Sequence, residues 1–141
     1  MDITGAGILI QDPKGKILVT LRKPFVPEGS KWGIPGGVNK PPDTPIQTAI
    51  KKTLQEVNLS FAESELELLD KFYYRAENNN VAFFVWAAKV SEEAPKINLN
   101  TNGHSSYMWK DPKILFQRKD LMVGMYPILK KYLEALTTPR P

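Results

Sequence analysis

The sequence predicts a mixed α/β domain in which a β-sheet packs between helices, and three observations carry that prediction. Residues 4–10 (TGAGILI) and 16–22 (KILVTLR) are β-branched apolar runs of strand length. Residues 45–57 (PIQTAIKKTLQEV) repeat their apolar side chains with a helical period. Residues 81–90 (VAFFVWAAKV) are apolar enough for a central strand covered on both faces. Strand runs interleaved with helices of this length make layers rather than a bundle. With 141 residues and 42% hydrophobic content, the chain reads as one domain over 1–141 that can bury a real core.

Taken in order, the first two strands flank Gln11 and the turn DPKG, where Pro13 presets the turn and Gly15 tolerates positive φ, so a hairpin is expected. A loop over 23–31 leads to WGIPGGV, which should end in a turn at Gly36 and Gly37. ELELLDKFYYRA and VAFFVWAAKV flank ENNN and predict a second hairpin. SEEAPKINLNTNG reads as a long polar loop, SSYMW as a short strand, and DPKILF as the start of a helical turn. Residues 127–136 form a terminal helix with Ile128, Leu129, Tyr132, Leu133 and Leu136 on its inner face, and residues 137–141 read as a flexible tail.

The helix over 45–57 has the clearest boundaries. Thr44 caps it, Pro45 suits its first position, Gln47 completes a T-x-x-Q capping box, and Asn58 can take the left-handed conformation that ends it. At about 100° per residue, Ala49, Thr53, Ile46, Val57, Ile50 and Leu54 share an arc of about 140°. Gln47, Lys51, Gln55, Thr48, Lys52 and Glu56 take the other side. The expectation is that Ile46, Ala49, Ile50, Leu54 and Val57 pack inward while Lys52, Gln55 and Glu56 open onto a cleft beside Gly36 and Gly37.

Composition excludes several classes of function. The longest apolar run is about half of a membrane span, and no basic segment followed by an apolar one opens the chain, so it reads as unexported, cytoplasmic and without a membrane partner. There is no cysteine, hence no disulfide framework and no thiolate chemistry. The net charge of +4 favours anionic ligands, but the lysines are scattered and no nucleic-acid motif occurs, so nucleic acid is not the expected partner.

Gly37, Asp43 and residues 51–59 (KKTLQEVNL) fall at the spacing G-x5-E-x7-R-E-U-x-E-E-x-G-U, with U aliphatic. The stretch from Gly37 to Leu59 resembles the Nudix box. The likeness extends over about residues 3–117: an apolar strand before a D-x-x-G turn, ILVTLR ending in Arg22, W-G-I-P-G-G, and Trp109 before a short helical segment. It implies an α/β/α sandwich with a mixed sheet between helices. It also implies hydrolysis of nucleoside diphosphates linked to another group, with Mg²⁺ or Mn²⁺ held by glutamates of the helix. Such chemistry needs divalent charge on the phosphate oxygens, an activated water and several oxygen ligands for the cation.

The glutamates of that pattern fall here on Lys52, Gln55 and Glu56, whose charges of +1, 0 and −1 sum to zero where three glutamates would give −3. A lysine about 5 Å from a dication costs about 3 kcal/mol at an effective dielectric of about 40. NGHSSYMW, where many relatives place a further glutamate, has no acidic residue. Metal binding is therefore expected to be weak or absent, with Glu56 as the remaining metal ligand and catalytic candidate. An ammonium can still contact phosphate oxygens as a point charge with three donors. Arg22, Gly36, Gly37, Lys51, Lys52 and Gln55 are the candidates for holding a diphosphate.

Phe25, Tyr73, Tyr74, Phe83 and Trp109 could stack on a base, although strand aromatics also read as core. Glu28, Glu77, Glu92 and Glu93 could supply acids from outside the box, and the lone His104 reads as a loop residue. Three readings stand: a Nudix-fold protein that binds a nucleotide or pyrophosphate-containing anion with impaired hydrolysis; a weak or unconventional Mg²⁺/Mn²⁺-dependent pyrophosphohydrolase; and a non-catalytic protein-interaction module. Whether the chain is an enzyme is left open between them. The base and sugar are not fixed by the pattern, and a homo-oligomer is compatible with it.

Overall fold

A computed structural model describes residues 2–137. Its elements are β1 (Asp2–Gln11), β2 (Ile17–Arg22), β3 (Trp32–Gly33), β4 (Gly36–Val38), α1 (Pro45–Val57), a 3-10 turn (Glu63–Glu65), β5 (Glu67–Ala76), β6 (Asn79–Lys89), β7 (His104–Lys110), α2 (Pro112–Phe116) and α3 (Met125–Thr137). The sheet is mixed, in the order β3-β2-β1-β6-β5, with β4 also paired to β1 and β7 to β2. Strands β1 and β6 run parallel from Asp2↔Asn80 to Gln11↔Lys89.

Strand period explains the two cores. Leu9, Ile17 and Val19 point to one face, where they meet Phe72, Val85, Leu115 and the Met125, Ile128, Leu129 and Tyr132 side of α3. Ala6, Ile8, Ile10 and Leu18 point to the other, against Ala49 and Val57 of α1 together with Phe61 and Ile97. Helices thus cover both faces of the sheet, as the α/β/α expectation requires.

The first hairpin is corrected in its pairing. Its turn forms, with Gly15 at φ 83, but β1 and β2 pair only at Gln11↔Ile17. Being buried on both faces, each strand takes new neighbours: β1 takes β6 and β4, and β2 takes β7 and β3. Asp12 holds the turn by accepting from the N–H groups of Lys14 (3.0 Å) and Lys16 (2.8 Å), and it binds the long polar loop by accepting from Ala94 N–H at 3.0 Å. The second hairpin closes through Glu77 and Asn78, both at positive φ (47 and 66), the geometry of a two-residue type I′ connection.

The expected glycine turn is instead strand β4, and neither Gly36 nor Gly37 has positive φ. These glycines serve close approach: a Cβ on Gly36 would lie 2.5 Å from the Ala6 carbonyl oxygen, and one on Gly37 would lie 3.0 Å from the Lys52 chain. The terminal helix begins at Met125, and its first turns pack while Leu133 is half-buried and Leu136 is 56% exposed. Of the expected tail, Thr137 closes this helix and residues 138–141 lie outside the described residues.

Helix α1 has the expected caps. Gln47 N–H donates to Thr44 Oγ1, Thr44 N–H donates to Gln47 Oε1 at 2.9 Å, and Asn58 sits at φ 56. Its rotation differs from the expectation. The buried residues are Thr48, Ala49, Thr53 and Val57, while Leu54 is 44% exposed. This is a turn of roughly 70° from the centre of the apolar arc toward Lys52 and Glu56. Gly36 and Gly37 of β4 leave room for that polar edge, and Glu56 and Lys52 meet these glycines.

Thr53 occupies an aliphatic slot of the box and is fully buried, with a hydroxyl that has no hydrogen-bond partner. An unpaired buried hydroxyl costs about 1–3 kcal/mol. Thr53→Val keeps the shape and removes the polar atom, so it should raise unfolding stability by about 1 kcal/mol in urea denaturation. A loss of stability would mean that the hydroxyl has a partner.

Candidate functional site

A cleft of about 210 Å³ opens on the α3 side of the glycine strand. Gly5 of β1, Thr20 and Arg22 of β2, Gly36, Gly37 and Val38 of β4, Tyr74 and Ala76 of β5, Val81 and Phe83 of β6 and His104 of β7 form its walls. Strand pairing brings these distant segments together: Gly5↔Val38, Gly5↔Phe83, Tyr74↔Val81 and Arg22↔His104. The walls are largely apolar, with a few charged groups at their edge, the composition of a small-molecule pocket.

Glu56 is a half-buried acid behind this cleft. Its Oε1 accepts the Gly36 N–H at 3.1 Å. Burial raises its pKa from about 4.5 to about 7, against the opposing pull of the Gly36 hydrogen bond, Lys52 and Arg22. Arg22 is held in turn, its Nε donating to the Pro27 carbonyl oxygen at 2.7 Å. The structure therefore brings Glu56, Lys52, Arg22 and Gly36 into one electrostatic group. The Gly36 N–H, an expected diphosphate donor, is taken by Glu56.

The other expected residues separate. Lys51 binds the Asp43 carboxylate at 2.9 and 3.0 Å, so its charge is already matched. Gln55 is exposed, and with Lys40, Asp43, Thr48, Lys51 and Lys52 it lines a second, polar groove of about 570 Å³ on the outer side of α1. Lys52 lines the outer groove, its alkyl chain lying over Gly37, a residue of the cleft wall. Of the aromatics, Tyr74 and Phe83 enter the cleft. Phe25 and Tyr73 are exposed (78% and 71%), and Trp109 packs with the α1-side core and donates to the Pro95 carbonyl oxygen.

His104 opens β7 rather than lying in a loop, and it is buried in the cleft wall. Burial first, then Arg22, lowers its pKa, so the imidazole is neutral at pH 7. Glu28 and Glu77 also reach the cleft. Glu77 Oε1 accepts the Glu28 N–H at 3.0 Å, and Glu28 Oε1 accepts the Val123 N–H at 2.8 Å, which fastens the 23–31 loop across the cleft mouth. Burial, then Glu28, raises the Tyr74 pKa, leaving its hydroxyl a donor. Among the described residues no three of His, Cys, Asp and Glu are grouped to hold a metal ion. The site role of Tyr74 had only its aromatic character as a signal, and Glu28 and Glu77 had only their acidity, because loops and register place them.

The NUDIX domain family model matches residues 1–132. In three dimensions the chain is similar to a MutT protein from Methanosarcina mazei Go1, with TM-score 0.84 and 16% identity over 97% of this chain and 96% of that one. It is similar to a C. elegans Ap4A hydrolase in a binary complex, with TM-score 0.75 and 21% identity over 95% and 97%. A MutT NUDIX hydrolase from Burkholderia pseudomallei matches with TM-score 0.77 and 20% identity over 93% and 98%. At these identities the likeness is one of fold. No curated protein matches the sequence.

The raised pKa of Glu56 gives a signed pH dependence. Its contribution to stability is full below about pH 4.5 and is lost as the pH rises through about 7, since the folded protein resists the charged form. Glu56→Gln keeps an acceptor for Gly36 N–H and cannot ionise. The variant should match the parent near pH 4.5 and exceed it by about 3 kcal/mol at pH 8 in denaturant unfolding. A constant difference across that range would show that Glu56 titrates normally.

Proposed function

Because the chain belongs to the Nudix family, we propose that it binds a nucleotide or another pyrophosphate-containing anion beside β4, with impaired metal-dependent hydrolysis. The observation that carries this reading is the pair Lys52 over Gly37 and Glu56 on Gly36: an ammonium and a half-neutralised acid occupy the face where the family pattern has three glutamates. Nudix hydrolases generally use divalent metal ions. A hard dication needs several oxygen ligands. Here the helix face offers one carboxylate, already hydrogen-bonded and flanked by Lys52 and Arg22, with Gln55 turned to solvent. These residues do not fit the ion.

What the chain's own groups can do is bind and orient. Tyr74 and Phe83 present ring surface to a base, Arg22 and Lys52 present positive charge to phosphate, and neutral His104 can donate or accept. A cytoplasmic location suits such a ligand, and no helix among the described residues is long and apolar enough to cross a membrane. A second reading rests on the Glu56 pKa of about 7, which suits a general base, with Glu28 and Glu77 as nearby acids for a weak hydrolase.

Calorimetric titration with nucleotides, including Ap4A because one structural relative is an Ap4A hydrolase, should show binding, while product release with Mn²⁺ stays negligible. Rapid Mn²⁺-dependent release would establish the second reading, and no binding of any nucleotide would overturn the first. The double variant Lys52→Glu with Gln55→Glu takes the face from zero to −3, at an exposed and a half-buried position, with a stability change within about 1 kcal/mol. It should bind Mn²⁺ at least about tenfold tighter than the parent in calorimetry. A folded double variant with unchanged Mn²⁺ affinity would show that these substitutions did not disable a metal site.

A further inference from the structure

The apolar cleft and the outer polar groove adjoin at β4. Val38 lines both, and Gly37 in the cleft wall carries the Lys52 chain that enters the groove. The groove holds Lys40, Lys51 and Lys52 against Asp43, a balance of three positive charges and one negative, or +2. Asp43 is committed to Lys51 at 2.9 Å, so the charge offered to a ligand is that of Lys52 at the junction and Lys40 beyond it. Glu56 is half-buried and turned to the Gly36 N–H.

We infer that the site takes the free, metal-unbound form of a nucleoside 5′-polyphosphate, with its base in the cleft and its phosphate chain crossing Gly37 into the groove, to Lys52 first and Lys40 next. This rests on the nucleotide reading above and adds to it the direction of the chain, a preference for more phosphates, and the metal-free form. The charge pattern sets that form. Ammonium groups reward the full charge of the bare phosphates. A dication carried on the phosphates would cancel part of that charge and bring its own against Lys52 and Arg22.

Calorimetry with the AMP, ADP, ATP and GMP, GDP, GTP series, in EDTA and in about 5 mM Mg²⁺, tests this. In EDTA the affinity should rise with each phosphate, and Mg²⁺ should weaken triphosphate binding by roughly tenfold. Lys40→Ala, at an exposed position, should weaken the triphosphate and leave the monophosphate unchanged. Binding that Mg²⁺ tightens, or that ignores phosphate number, would overturn this inference and leave the nucleotide reading standing. Absence of binding by both series in both buffers would remove the nucleotide reading and this inference with it.

Discussion

Two glycines without side chains set the local packing: Gly37 lets the Lys52 chain of helix α1 lie on β4, and Gly36 lets β4 lie against β1. A Cβ at either position would meet the β1 backbone or the Lys52 chain. With that space open, Glu56 reaches the Gly36 N–H, and Lys52 lies along Gly37. The same approach turns the helix away from its apolar arc, which leaves Leu54 in solvent and puts Thr53 fully inside. Favourable packing of Leu54 is given up for a polar contact at the helix edge, a local conflict of the kind that concentrates at functional sites.

The electrostatics follow from the same contact. Taking a carboxylate out of water is unfavourable unless it is paired or protonated, and Glu56 is met by one N–H and by two cations at longer range. Neutral His104 and the hydrogen-bonded loop of Arg22, Pro27 and Glu28 complete the surroundings. The result is a cleft with a largely apolar wall, edged by the Arg22 guanidinium and by the Glu28 and Glu77 carboxylates.

Local features of the fold were legible in the sequence, because they depend on neighbouring residues. The Thr44 capping box, the Asn58 terminator and a hairpin across residues 77–80 are examples, although its connection narrows to Glu77 and Asn78. Pairing of β1 with β6 was not legible: residues some 80 positions apart must meet, and no turn chemistry encodes that register. The helix phase was misread because periodicity weighs only side chains on the helix, while the contacts of Lys52 with Gly37 and of Glu56 with Gly36 are made across the tertiary interface. In the candidate site, the box spacing located Glu56 and Lys52 beside the glycines. It did not show that Asp43 holds Lys51, that Glu56 takes the Gly36 N–H, or that the 23–31 loop carries Glu28 to the cleft. Each of these depends on a partner set by tertiary packing.

The most direct test of the account is a crystal structure of the protein soaked with ADP and Mn²⁺, with anomalous scattering used to locate the manganese. Phosphate oxygens should lie within hydrogen-bond distance of the Lys52 ammonium, with the base against Tyr74 and Phe83 and no manganese at Glu56. Manganese coordinated by Glu56 with other carboxylates, beside a displaced Lys52, would contradict it.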